Sequence, residues 1–171
     1  MGAPFAIVPP FTKGVALFYV AMAKAAPAGY SGKPLAEKLG IKPGMKVAVV
    51  GAPANYVELL GGLPPGATMV RKPPEGAAFV HLFVKRAAQL GEHLVVYRKA
   101  IAQDGMVWVS WPKKSSMVPT DITEHVVRAL ALPLGFVDVK VCAVDETWTA
   151  FKLVIRLSER SAPNRRRRAT P

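Results

Sequence analysis

A single cysteine, Cys142, stands among 171 residues, which excludes an intramolecular disulfide and any metal site built from several cysteines. Inside its valine-rich run that thiol is expected to be a small buried hydrophobe. Histidine is scarce too. His81 lies in an apolar run, His93 and His125 fall in separate helical patterns, and no two share the spacing of a local ligand pair, so no metal is expected. Walker loops and nucleophile elbows are missing. No apolar stretch is long enough to span a bilayer. The segment from Gly14 to Lys24 has the length of a signal-peptide apolar region, but only Lys13 precedes it as a positive lead. A cytoplasmic protein without membrane association is the expectation.

Acidic residues are outnumbered 11 to 23 by lysine and arginine, for a net charge of +12. Part of that excess sits in the last fourteen residues, 158–171, where five arginines face one glutamate. The run Arg165, Arg166, Arg167 and Arg168, among Ser, Pro and Asn, reads as a disordered basic tail able to bind nucleic acid weakly and in a salt-dependent way. At the other end, residues 1–28 read as an extension. Met22 is the expected natural start, and an intact mass that included Phe5 to Phe18 would refute this. Between them, residues 29–157 suffice for one domain, and a hydrophobic fraction of 51% supports one sizeable core.

Within that span, apolar runs alternate with helical patterns. Ser31 or Gly32 is a helix cap with Pro34 in the first turn, and Gly40 closes the short helix. Lys46 to Val50 is a strand buried on both faces, Ala54 to Leu60 a short helix, and Ala67 to Val70 a brief outer strand cut off by Pro73 and Pro74. Ala77 to Val84 is the next strand, followed by an amphipathic helix with Ala87, Leu90, Leu94, Tyr97 and Ile101 on one face. Asp104-Gly105 is expected to turn the chain into a strand from Met106 to Trp111. Asp121-Ile-Thr-Glu124 has capping-box form ahead of another helix. Phe136 to Val144 and Ala150 to Leu157 are expected to pair as an antiparallel hairpin across the turn Asp145 to Trp148.

Such alternation predicts an α/β fold: a Rossmann-like three-layer sandwich whose mostly parallel sheet ends in an antiparallel hairpin. The arrangement resembles a trimmed class I methyltransferase fold. Methyltransferases of that kind hold S-adenosylmethionine with a glycine-rich turn, and dinucleotide sites add an acidic residue after the second strand to hold ribose hydroxyls. Here the turn Gly51-Ala-Pro-Ala-Asn55 has one glycine, Pro53 removes an amide donor, and the second strand ends in Arg71-Lys72. No cofactor of the familiar kind is therefore expected.

Ligands of such folds bind beyond the carboxyl ends of the strands. That rule converges four segments on one edge: Tyr30, Ser31 and Lys33 before the first helix; Gly51 and Asn55 after the first strand; Trp111, Lys113 and Lys114 with the nearby Asp121; and Asp145, Glu146 and Trp148. The lysines near helix amino termini favour an anion, and Tyr30 and Trp148 are expected to be exposed aromatics able to stack on a planar ligand. Alternatively Asp145 and Glu146 neutralise the lysines in a closed network.

The segments Gly29 to Gly44, Trp111 to Lys114, Thr120 to Arg128 and Gly135 to Arg156, the last containing DVKVCAVDETW, resemble the bacterial family known as domain of unknown function 3052. The likeness spans about residues 29 to 157. It implies a small cytoplasmic bacterial protein and carries no activity with it. The leading expectation is a non-catalytic binding or interaction module for a protein or anionic small-molecule partner. The alternatives are a divergent S-adenosylmethionine-dependent methyltransferase and nucleic-acid association through the tail.

Overall fold

The structure, a computed structural model, describes residues 32–161. Tyr30, Ser31, Met22 and the arginines Arg165 to Arg168 lie outside the described residues. Helix α1 spans Leu35–Leu39, beginning directly after Pro34 and ending at Gly40, whose φ of 82° places it in the left-handed region that glycine reaches without steric cost. Strand β1 is Lys46–Val50, α2 is Tyr56–Leu60, β2 is Thr68–Val70, β3 is Ala77–Phe83 and α3 is Ala87–Ala100. Strand β4 is Ile101–Pro112, α4 is Glu124–Ala131, β5 is Phe136–Ala143 and β6 is Trp148–Ile155.

The six strands form one sheet in the order β2-β1-β3-β4-β6-β5. Strands β2, β1, β3 and β4 are parallel, and β6 runs antiparallel to both β4 and β5. Helices cover both faces, as the sequence pattern predicts. On one face, Leu90, Leu94 and Tyr97 of α3 and Val127 and Ala131 of α4 pack on Val80, Leu82, Val107 and Val109. On the other, Leu35 and Leu39 of α1 and Tyr56 and Leu60 of α2 pack on Val47, Phe79, Phe83 and Trp108. The indole N–H of Trp108 donates to the Leu39 carbonyl at 2.9 Å, satisfying a helix-end acceptor in the core.

Four local expectations are corrected. Asp104-Gly105 is no turn: α3 passes directly into β4 at Ile101, and the register against β3 jumps from Ala77–Ile101 to Phe79–Met106. Gly105 permits this bulge, because a Cβ there would stand 2.7 Å from the Ala77 carbonyl oxygen. The cap of α4 is Thr123, whose hydroxyl accepts from the Val126 N–H, and not Asp121. Leu157 leaves the hairpin for a 3-10 turn at Leu157–Glu159 and is 78% exposed. Finally, the amino end of α1 lies at the far end of α2, where Pro34 packs beside Gly61, and its carboxyl end meets β4 and β5, whose Trp108 and Lys140 donate to the Leu39 and Lys38 carbonyls.

Candidate functional site

In an open α/β sheet the crevice forms where successive strands leave in opposite directions. That place is set here by β1, flanked by β2 on one side and β3 on the other. Gly51, the residue after β1, has a φ of 68°, and a Cβ on it would stand 2.5 Å from the Phe83 carbonyl oxygen. The glycine is thus required by the close approach of β1 to the end of β3.

Above this junction opens a cleft of about 930 Å³. Its size falls at the upper end of the roughly 300–1,000 Å³ usual for small-molecule sites. Gly51 and Pro53 form one wall, and Phe83 and Trp148 supply aromatic surface. Lys85, Arg86 and Gln89 stand at the start of α3, and residues 118–121 close the opposite side. That last segment is held to β3 by the Lys85 carbonyl, which accepts from the Thr120 hydroxyl at 2.9 Å and from the Asp121 N–H at 3.4 Å. The Asp121 carboxylate then accepts from the Ala87 N–H at 2.6 Å and lies 3.7 Å from the Arg86 guanidinium. Asp121 therefore caps α3, a helix 34 residues earlier. Lys85 keeps its side chain exposed, without a hydrogen bond or ion pair to another described residue.

Beneath the cleft a polar relay is sealed into the core. The Tyr56 hydroxyl lies 2.7 Å from His81 Nδ1, and His81 Nε2 lies 2.7 Å from the Ser110 hydroxyl. His81 and Ser110 are wholly buried and Tyr56 is nearly so. Burial lowers the His81 pKa to about 3 and raises that of Tyr56, so the imidazole is neutral and the phenol protonated at pH 7. The relay ties α2 to β3 and β4. His81 also packs against Phe83 at 4.3 Å between ring centroids, and Phe83 meets Trp148 edge-on at 5.1 Å. The aromatic surface of the cleft thus rests on the buried hydrogen bonds.

Of the candidate residues read from the sequence, the cleft gathers Gly51, Asp121 and Trp148. Trp148 is 9% exposed, a correction to its expected exposure: its ring is covered by Phe83. Trp111 is buried edge-on against Phe151 in the opposite core layer. Lys33 is exposed, pairs with Glu37 at 2.7 Å and does not line the cleft. Asn55 sits exposed at the start of α2 without capping it through its side chain.

Lys113 donates to the Asp145 backbone carbonyl at 2.6 Å, while the Asp145 carboxylate accepts from the Thr147 and Trp148 N–H groups at 2.8 and 2.6 Å. A closed network exists at this corner, but it binds the lysine through a carbonyl and uses the carboxylate to shape the turn. Lys114 and Glu146 are exposed beside it. Lys85, Arg86 and Gln89 escape the sequence reading. Applying the carboxyl-edge rule to β3 as well as to β1 and β4 would have found the Lys85-Arg86 pair.

No protein-family model and no curated protein matches the sequence. The fold is similar to solved structures. One is a putative type 11 methyltransferase from Sulfolobus solfataricus, at 12% identity over 75% of this chain and 94% of that one, with a TM-score of 0.53. Another is an S-adenosylmethionine-dependent methyltransferase from Aquifex aeolicus, at 12% identity over 71% and 88% of the two chains, with a TM-score of 0.52. This similarity establishes a Rossmann-like fold of the class I methyltransferase type.

The residues present do not fit S-adenosylmethionine in the usual manner. The Cβ space at Gly51 is filled by the Phe83 backbone, and the end of β2 offers Arg71 and Lys72 where ribose hydroxyls need a carboxylate.

Proposed function

We propose that the protein is a non-catalytic binding module that takes up an anionic small molecule in the cleft over β1 and β3. The observation that carries this reading is the cleft itself: it lies at the switch point of the sheet, and Lys85 and Arg86 stand on its rim. Asp121 is the one carboxylate on its wall among the described residues, and it is already engaged by the Ala87 N–H and Arg86. Uncompensated positive charge beside aromatic surface suits a ligand that pairs an anionic group with an apolar body. The buried imidazole–hydroxyl arrangement supports a non-catalytic role, because His81 and Ser110 are closed to any substrate.

Native purification followed by mass spectrometry of the small molecules released on denaturation tests this. An anionic compound is expected with the wild-type chain and is expected to fall at least tenfold with Lys85→Ala and Arg86→Ala together. The exposed Arg86–Asp121 pair contributes less than about 1 kcal/mol, so the melting temperature should barely move. Equal capture by both proteins sinks the reading.

The fold favours a second reading, a divergent S-adenosylmethionine-dependent methyltransferase. Calorimetric titration with S-adenosylmethionine and its demethylated product separates the two: binding of both supports the enzyme, and no heat at millimolar concentration removes it.

A further inference from the structure

One wall of the cleft carries its own anion. Residues 118–121 belong to a strap between β4 and α4 that is fastened at both ends. At its start the Lys113 N–H donates to the Thr147 carbonyl at 2.7 Å, and the Ser116 hydroxyl donates to the Lys113 carbonyl at 2.7 Å. At its end Ile122 is buried in the core layer that α3 and α4 cover. The tip between these anchors is lightly held. Met117 is 86% exposed and, among the described residues, is the one non-glycine with a positive φ, 59°, a conformation that costs a residue with a side chain free energy. The next N–H, that of Val118, reaches the Ser116 hydroxyl at a long 3.4 Å. What lays the strap against the cleft is polar: Thr120 and Asp121 on the Lys85 carbonyl, and the Asp121 carboxylate on the Ala87 N–H and Arg86.

Given that the cleft takes an anionic ligand, Asp121 stands where the ligand's charge is drawn. Arg86 is one of two cations lining the cleft, and its ion pair among the described residues is with Asp121. With side chains 74% and 54% exposed, that pair is weak and readily exchanged. The fold needs an oxygen at this place but not a charge. Helix α3 begins after Arg86, which has no side-chain acceptor to cap it, and Asp121 fills the role from a distance; asparagine and serine cap a helix about as well as aspartate. We propose that Asp121 is an internal competitor of the ligand: its carboxylate holds Arg86 and latches the strap, and a bound anion takes Arg86 from it and releases the strap. An anion on Lys85 and Arg86 repels the carboxylate beside it, so ligand and latch exclude one another. The latch also selects. A small anion that gains nothing from Phe83 and Trp148 does not displace it, whereas one joined to an apolar body that packs on those rings does.

Calorimetry on the full chain with phenyl phosphate, which joins an anion to an aromatic body, tests the competition. Asp121→Asn keeps a capping oxygen and removes the charge, so its melting temperature should stay near that of the wild type. It should bind the probe about tenfold tighter at low salt, since the competing pair and the repulsion are both gone. Asp121→Ser should do the same, which guards against a fault peculiar to one variant. The gain should shrink as salt is raised and vanish when Arg86→Ala is added to Asp121→Asn. Affinity no higher than that of the wild type in both variants, undetectable binding throughout included, overturns the competition and leaves Asp121 as a structural cap. A gain that survives Arg86→Ala overturns it as well, because the cation released would not be the one that binds. Whether the cleft holds a natural ligand is read separately, from the compound captured by the wild-type chain and lost with Lys85→Ala and Arg86→Ala. That capture without a gain in the Asp121 variants sinks the latch alone, and equal capture by the two chains sinks the binding reading without touching the gain.

Discussion

Over β4 and β6, the carboxyl edge of the sheet is closed on itself. Lys113 is bound by the Asp145 carbonyl, and the Asp145 carboxylate is bound by two backbone N–H groups. Over β1 and β3, the same edge carries Lys85, without a hydrogen bond or ion pair to another described residue, on the rim of an open cleft. Both corners place a lysine just past a strand end, Lys113 and Lys85, so residue type alone does not separate them. What separates them is topology. At β4 and β6 antiparallel neighbours bring a tight turn against the strand end, and turn carbonyls are available to an ammonium. At β1 and β3 the connections from the parallel strands lead away to opposite sides, which opens a crevice over the strand ends.

The relay beneath the cleft should give the largest effect. His81→Phe leaves the Tyr56 and Ser110 hydroxyls buried without their partner, at about 1–3 kcal/mol each, or roughly 4 kcal/mol together. Chemical unfolding should show this loss. The wild type should also reveal the imidazole through pH. Its folded pKa of about 3 lies below the unfolded value of 6.5, so between those values the unfolded chain binds a proton that the native chain refuses. The contribution is complete above pH 6.5 and falls by about 1.4 kcal/mol per pH unit as pH drops toward 3. In His81→Phe that part of the slope should vanish. A variant with the same slope would show that His81 is protonated in the native state, and hence that the relay is open to water.

Gly51 comes next. Alanine at a φ of 68°, with its Cβ 2.5 Å from the Phe83 carbonyl oxygen, should cost about 3 kcal/mol by strain and overpacking together. Because the forced shift separates β1 from β3, the damage should concentrate in the cleft. Amide exchange should accelerate at Val84, whose N–H is held by the Ser110 carbonyl, and remain unchanged at Thr147 and Trp148. Uniform acceleration at both corners would show that the two halves open as one unit.

The strands were the most legible part of the sequence. A continuous apolar run such as Lys46 to Val50 has one economical solution, a strand covered on both faces, and β1 has those limits. Asp104-Gly105 misled because a glycine that lets two backbones approach looks, in sequence, like a glycine that lets one backbone turn. Asp121 misled for a related reason. A capping carboxylate is read against the helix that follows it, yet this one serves α3, which only the folded chain brings near. The carboxyl-edge rule points to Gly51, which lines the cleft, but not to which lysines are occupied. Lys113 and Lys85 are both strand-end lysines, and the difference between them is a turn carbonyl contributed by residues 32 positions away from Lys113.

The smallest effect is expected at the closed corner, and it bears most directly on the contrast between the halves. Asp145→Ala removes the acceptor of two N–H groups, for about 1–2 kcal/mol of stability, while Lys113→Ala removes one partly exposed hydrogen bond, for about 1 kcal/mol or less. Because both act on the same turn, the double variant should lose less than the sum of the singles. None of the three should alter ligand capture directly, since neither residue lines the cleft. Trp148 is the point of contact between the halves: its N–H is held by Asp145 and its ring packs against Phe83. If Asp145→Ala weakens capture tenfold while Lys113→Ala does not, the turn positions the Trp148 ring for the ligand and the two halves form one site. If neither does, the corner over β4 and β6 serves the fold alone.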